Sequence, residues 1–329
     1  MMKTLSVLGL MAAVCCLVVL TPGYAAAEKI QLALVIPSTI DDMAWSQAMY
    51  EGIKAVQAEL GEDNMEVAVS ERLWNAVDAG AAIREYALKG YNIIIAHGAQ
   101  YQSLLNEIAP EFPEISFAYG TGFATTSSNI FAYDPHAQEG AYLLGIIAGL
   151  KTTSGIVGIV GPVEAGDAIK FNKGVMQGVK AVNPDAEVRI AYTGSFGDLV
   201  AAAEIARTHI KAGADILTGS AQQSVGAINV TKEFDKLFWL STDMDQSSLS
   251  PDTVLAAQVY NFKKVIQTIL DSRAEGVMGG QHLELSFSND GLSLKYNDAL
   301  AAELTDEIKA KVDEATQQLV DGSLKIELE

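Results

Sequence analysis

Short apolar runs alternate with longer amphipathic ones along nearly the whole chain from Ile30 onward, and this alternation restricts the fold more than any other feature. Runs 31–36, 65–70, 92–96, 115–119 and 129–133 read as buried strands, and the stretches 43–60, 75–89 and 100–109 carry helical spacing. Such a βαβ series calls for a parallel sheet with right-handed crossovers. Asp134-Pro135 breaks the series, and after a helix over 136–150 it begins again. Strands are expected at 155–160, 187–192, 215–218 and 237–241, with helices over 167–181, 199–212 and 223–234. Beyond Pro251 come a strand at 253–259, a helix at 262–274, and a tail from Gly279 with two short strand-like runs and a helix near 301–319. The expectation is an α/β protein of two Rossmann-like lobes with parallel sheets, joined by a hinge near Asp134 and Pro251. Residues 28–133 with about 254–290 would form the N-terminal lobe, and 134–253 with the C-terminal tail the C-terminal lobe. A cleft between two such lobes is where a ligand belongs.

Residues 1–27 have the composition of a secretory signal: Lys3, an apolar stretch over 5–20, and Ala25-Ala26-Ala27 before an expected cleavage at Glu28. A periplasmic location follows as an expectation. Both cysteines, Cys15 and Cys16, lie inside that leader, so the mature chain would hold no thiol. That excludes a cysteine nucleophile, a disulfide framework and a thiolate metal site. A lipid anchor on either cysteine is disfavoured, because Val14 or Cys15 stands where a small residue would precede it. Loss of Lys3, with no acid lost, moves the formal charge from −19 to −20. So acidic a chain is ill suited to nucleic acid or anionic lipid, whose contacts rest on Lys and Arg.

No catalytic set emerges. His97, His136, His209 and His282 show no metal-ligand spacing, and no nucleophile elbow, phosphate loop or dinucleotide fingerprint is present. What the chain does offer is a set of residues at strand ends, where ligands bind in open α/β sheets. Ser38, Asp42 and Trp45 follow the first strand, and Trp45 suits either a core position or an apolar wall beside a ligand. His97 follows Ile93-Ile94-Ile95-Ala96 and reads equally as a capped surface histidine or a cleft residue. Phe196 is the one aromatic of the loop 195–198, Gly219 lets a ligand approach the backbone, Asp243 follows Trp239-Leu240-Ser241, and Tyr260 ends a strand.

Several stretches are similar to the basic membrane protein (BMP) family of substrate-binding proteins, the purine nucleoside receptor type. They are Gly161-Pro162 through Phe171 and Gly174, then Asn183-Pro184-Asp185 to Tyr192-Thr193-Gly194-Ser195-Phe196-Gly197-Asp198. Gly213-Ala214-Asp215-Ile216-Leu217, Asp243-Met244-Asp245-Gln246, the opening Asp41-Asp42-Met43-Ala44-Trp45-Ser46-Gln47 and the closing Asp321-Gly322-Ser323-Leu324-Lys325-Ile326 complete the set. The resemblance implies a type I periplasmic-binding-protein fold that delivers ligand to the permease of an ABC importer, without cofactor or catalysis. It implies a purine stacked between Trp45 and Phe196, with ribose hydroxyls on Asp243 and Gly219. Three positions depart from the family pattern. A ribose-holding lysine falls on Tyr260, an acid-amide pair on Ile36 and Pro37, and a base-reading aspartate near Gly120-Thr121.

The expected ligand is therefore small, planar and polar, a purine-like free base in preference to a nucleoside. Ser38, Asp42, His97 and Asp243 would contact its polar edge, and Tyr260 would close the ribose end. Two other functions stay open from sequence: a sugar or small-signal receptor using Asp243 and Asp134, and a secreted nucleoside hydrolase using Asp41 and Asp42.

Overall fold

The computed structural model describes residues 29–122, 125 and 127–329; the leader expected over 1–27 lies outside them. In the first lobe, strands β1 (Ile30–Val35), β2 (Met65–Ser70), β3 (Ile93–Ala96), β4 (Ser116–Gly120) and β5 (Ile130–Pro135) alternate with helices α1 (Trp45–Leu60), α2 (Ala76–Leu88) and α3 (Gln102–Ile108). The second lobe opens with α4 (Ala137–Lys151). It continues through β6 (Ile156–Gly161), α5 (Gly166–Val182), β7 (Glu187–Tyr192), α6 (Leu199–Lys211), β8 (Ile216–Gly219), α7 (Ser224–Thr231), β9 (Phe238–Ser241) and β10 (Val254–Tyr260). The rest of the chain is α8 (Phe262–Ala274), β11 (Gln281–Leu285), β12 (Leu292–Tyr296) and α9 (Asp306–Val320).

The strands form two six-stranded sheets, ordered β11-β5-β4-β3-β1-β2 and β12-β10-β9-β8-β6-β7. All pairs are parallel except β10–β12. Leu32 to Val35 of β1 and all of β3 and β4 are buried, as continuous apolar strands covered on both faces must be. Helix α1 turns Met49, Ile53 and Val56 inward, one stripe at spacings of three and four. Helix α4 is buried nearly all round. Its backbone meets α5 so closely that a Cβ at Gly178 would stand 2.1 Å from the Tyr142 carbonyl oxygen.

One division expected from sequence changes. The strand beginning after Pro251 joins the second sheet, not the first, and only α8 and β11 return to the N-terminal lobe. The chain crosses between lobes at 135–137, 260–262 and 285–292, so Pro251, between β9 and β10 of one sheet, is no crossover. The last helix starts at Asp306, later than expected, because Thr305 caps it by accepting the Ile308 N–H, while 298–303 forms a 3-10 turn. Within each sheet the strand order reverses beside β1 and β6, and the loops leaving those switch points face each other. Among the described residues no helix is long and apolar enough to cross a membrane.

Candidate functional site

A cavity of about 320 Å³ lies between the carboxyl ends of the two sheets, within the size range of small-ligand pockets. The first lobe contributes Pro37, Trp45, Trp74, Gly98 to Gln100, Gly120 and Thr121. The second contributes Ala165 to Ala168, Phe171, Phe196, Ser220 to Gln222, Asp243 and Tyr260.

Trp45 opens α1, and three backbone N–H groups near that helix start are taken up by one side chain. Asp42 accepts from Ala44 and Gln47 at 3.0 Å and from Ser46 at 3.2 Å. With both carboxylate oxygens so engaged, Asp42 builds the turn that presents Trp45 instead of meeting a ligand's polar edge. The Trp45 ring stacks on His97, 4.1 Å between centroids and 7° between planes, and takes Phe262 and Tyr260 edge-on. One face of the indole is thus spent on the protein and the other borders the cavity.

His97 is fully buried behind Trp45, so it too lies away from the polar edge expected of it. Its Nε2 is 2.9 Å from the Trp45 carbonyl oxygen, which can only accept, so Nε2 carries the proton. Nδ1 then accepts from the Tyr133 hydroxyl at 2.5 Å. Burial holds this imidazole neutral, pulled down to about 3. Ser38 also stands outside the cavity lining, its carbonyl accepting from Arg72 N–H. Gly219 is explained by packing: a Cβ there would lie 2.4 Å from the Val160 carbonyl oxygen and 3.2 Å from the Trp239 ring. The three residues after it line the cavity instead. Of the eight residues expected from sequence, the structure brings Trp45, Phe196, Asp243 and Tyr260 together.

Asp243 turns the chain after β9 with φ of 73°, and its carbonyl accepts the Tyr260 N–H. It is 4% exposed, and its Oδ2 has no hydrogen-bond partner. Burial, then the charges of Asp42 and Asp167, push its carboxyl up to about 8. Tyr260 is anchored in the core, its oxygen taking hydrogen bonds from Gln258 Nε2 at 3.0 Å and Thr242 Oγ1 at 3.3 Å.

Sequence reasoning missed Asp167, Trp74 and Gln222. Asp167 sits in the first turn of α5 and Trp74 just past β2, so the strand-end rule that singled out Trp45 applied to both. Trp74 is 54% exposed, and its ring lies 6.0 Å from that of Phe196 across the cleft. The lobes also meet where Gln246 Nε2 donates to the Met43 carbonyl at 2.6 Å. Among the described residues, no Lys, Arg or His lines the cavity, and no group of three or more His, Cys, Asp or Glu is placed to hold a metal ion.

The family model of ABC transporter substrate-binding proteins of the PnrA-like kind (Bmp) matches residues 29–321. A purine-binding protein of Brucella abortus is 29% identical over 235 residues, 71% of this chain and 66% of that protein. The ABC transporter nucleoside-binding protein of Lactococcus lactis is 24% identical over 308 residues, 87% of this chain and 86% of its own. Among solved structures, an ABC transporter solute-binding protein from Aeropyrum pernix superposes with a TM-score of 0.80 at 20% identity, covering 90% of this chain and 92% of that one.

Proposed function

The chain belongs to the Bmp family of PnrA-like ABC transporter substrate-binding proteins, and from that membership we propose that its ligand is a purine-like heterocycle, a free base in preference to a nucleoside. Proteins of this family bind a small ligand and work with a permease; they are not enzymes. We place the chain in the periplasm, delivering its ligand to a permease of the inner membrane. The observation that carries the ligand class is the cavity's make-up. An aromatic from each lobe, Trp45 and Phe196, borders a space that Asp243 also lines, its buried Oδ2 unpartnered. Flat apolar walls with one strong acceptor suit a ring that has polar edges. The names of the Brucella and Lactococcus relatives agree with that class.

Preference for a free base rests on Tyr260. It fills the end of the cavity where the family pattern has a lysine, and its oxygen is already engaged by Gln258 and Thr242. Ligand would be enclosed by a hinge motion at the three crossovers. Thermal-shift measurements with adenine, hypoxanthine, adenosine, inosine, ribose and glucose test the proposal, since a ligand of the native state alone raises the midpoint. The expected result is a shift with the bases that exceeds any with their nucleosides. A shift with the sugars alone would discard the purine class.

A further inference from the structure

Asp167 has no part in that reading, yet it is the more unusual of the two carboxylates at the cavity. Its side chain is 21% exposed, but both oxygens are shut off from solvent, and the one cation within ion-pair distance of them among the described residues is Lys170. Lys170 Nζ stands 3.2 Å from Oδ1 but is turned toward Asp134, whose two oxygens take it at 2.6 and 2.7 Å. A carboxylate withdrawn from water without donors is costly, and such groups in native proteins normally have a partner. Here the side chain borders the cavity, as does Asp243 with its own orphaned Oδ2. The described lining holds no cation, and the one beside Asp167, Lys170, is shared with Asp134.

We propose that Asp167, with Asp243, reads paired N–H donors on the ligand, so that this site selects a heterocycle carrying an exocyclic amino group beside a ring N–H. The inference rests on the purine-like reading above. A carboxylate accepts two parallel N–H bonds in a fixed geometry, as it does from guanidinium, and the N1–H and 2-amino edge of guanine presents that pair. Hypoxanthine has the ring N–H without the amino group and leaves one oxygen unmatched. An anionic ligand is disfavoured by the same two groups.

The electrostatics agree with a site short of donors. Burial lifts the Asp167 carboxyl to about 7, with Lys170 and His136 opposing and Asp134 adding to the rise. The charges that act on Asp243 are those of Asp42 and Asp167, both acidic.

Tryptophan-fluorescence titrations with guanine against hypoxanthine, and guanosine against inosine, compare molecules that differ only by the 2-amino group. The amino member of whichever pair binds is expected to bind at least ~tenfold tighter, the scale of one hydrogen bond to a charged group. Asp167→Asn is expected to bring that ratio below roughly threefold, since an amide keeps only one acceptor oxygen. Asp167→Ser serves if the amide variant does not fold. Equal affinities in the unaltered protein overturn the inference, and an unchanged ratio in a folded Asp167 variant removes Asp167 from it. Binding of none of the four overturns the purine class itself, a result distinct from equal binding of all.

Discussion

The indole of Trp45 lies parallel on the imidazole of His97, and each residue also bonds the other's backbone: Trp45 Nε1 donates to the His97 carbonyl at 3.3 Å and His97 Nε2 to the Trp45 carbonyl. His97 is therefore a positioning residue, fixing the plane on which a ligand ring would lie. Trp45→Ala removes the wall, and a stacking contact is worth ~1–3 kcal/mol per base by analogy with nucleic-acid stacking, so affinity should fall roughly fivefold or more. His97→Ala leaves the wall but frees it to tilt. It should weaken binding less than Trp45→Ala while lowering the melting temperature more, because it opens a cavity behind the indole and leaves the Tyr133 hydroxyl buried without its partner. Calorimetric titration beside thermal unfolding checks the split. Equal affinity in Trp45→Ala and the unaltered protein would remove stacking from the account.

Stability of the unliganded protein should decline as pH rises through neutrality. Asp167 and Asp243 are pushed up to about 7 and about 8 in the folded state, above their unfolded values near 4. The folded protein then binds more protons than the unfolded chain, and each group contributes a loss of up to ~1.4 kcal/mol per pH unit until its folded value is passed. His97, pulled down to about 3, acts with the opposite sign, but only below its unfolded value near 6.5. Over pH 6.5 to 8 the aspartates act together with His136, whose imidazole the bond to Glu139 raises above its ordinary value and which pulls stability the same way. Denaturant titrations across this window should show a falling midpoint, and Asp243→Asn should flatten the fall. A midpoint that rises over this window contradicts the raised carboxyls.

Strand positions were legible because a buried parallel strand is a continuous apolar run, as in Ile93-Ile94-Ile95-Ala96, and the βαβ order follows from the spacing. The return of the chain between lobes was not. Nothing local to 254–260 distinguishes a strand that stays in the second sheet from one that crosses, since that is settled by which edge is free. The same limit holds for the site. Trp45 and Phe196 announce themselves as aromatics at strand ends, whereas Asp42 and His97 have the right residue type and place but are consumed by a helix turn and a stacking platform. Asp167 went unnoticed because an acid in a helix's first turn is ordinarily explained by the helix dipole. Only its desolvated oxygens mark it out.

The α4–α5 contact gives a purely structural prediction. At Gly178 a methyl group would press on the Tyr142 carbonyl, part of the helix backbone that cannot swing aside. Gly178→Ala should therefore cost about 1–3 kcal/mol as an overpacked contact, lowering the melting temperature by several degrees. The site lies at the other end of α5, so ligand affinity at 25 °C should stay within roughly twofold, since distant sites act independently. A melting temperature equal to that of the unaltered protein would show that the two helices part at no cost.

Trp74 and Phe196 reach across the cleft from opposite lobes, their rings 6.0 Å apart and tilted by 44°. Both border the cavity, and Trp74 is half exposed, so this pair stands at the mouth where a ligand enters and leaves. An aromatic pair of this kind is worth about 0.5–1.5 kcal/mol. Opening the cleft must break it, whereas initial entry into an open cleft does not depend on it. Trp74→Ala should accordingly raise the ligand dissociation rate roughly two- to tenfold with little change in the association rate, as most interface losses do. Stopped-flow release into excess competitor measures the first rate, and pseudo-first-order mixing the second. A slower association with unchanged release would instead make Trp74 part of the entry surface, and the closed-state contact would then contribute nothing to retention.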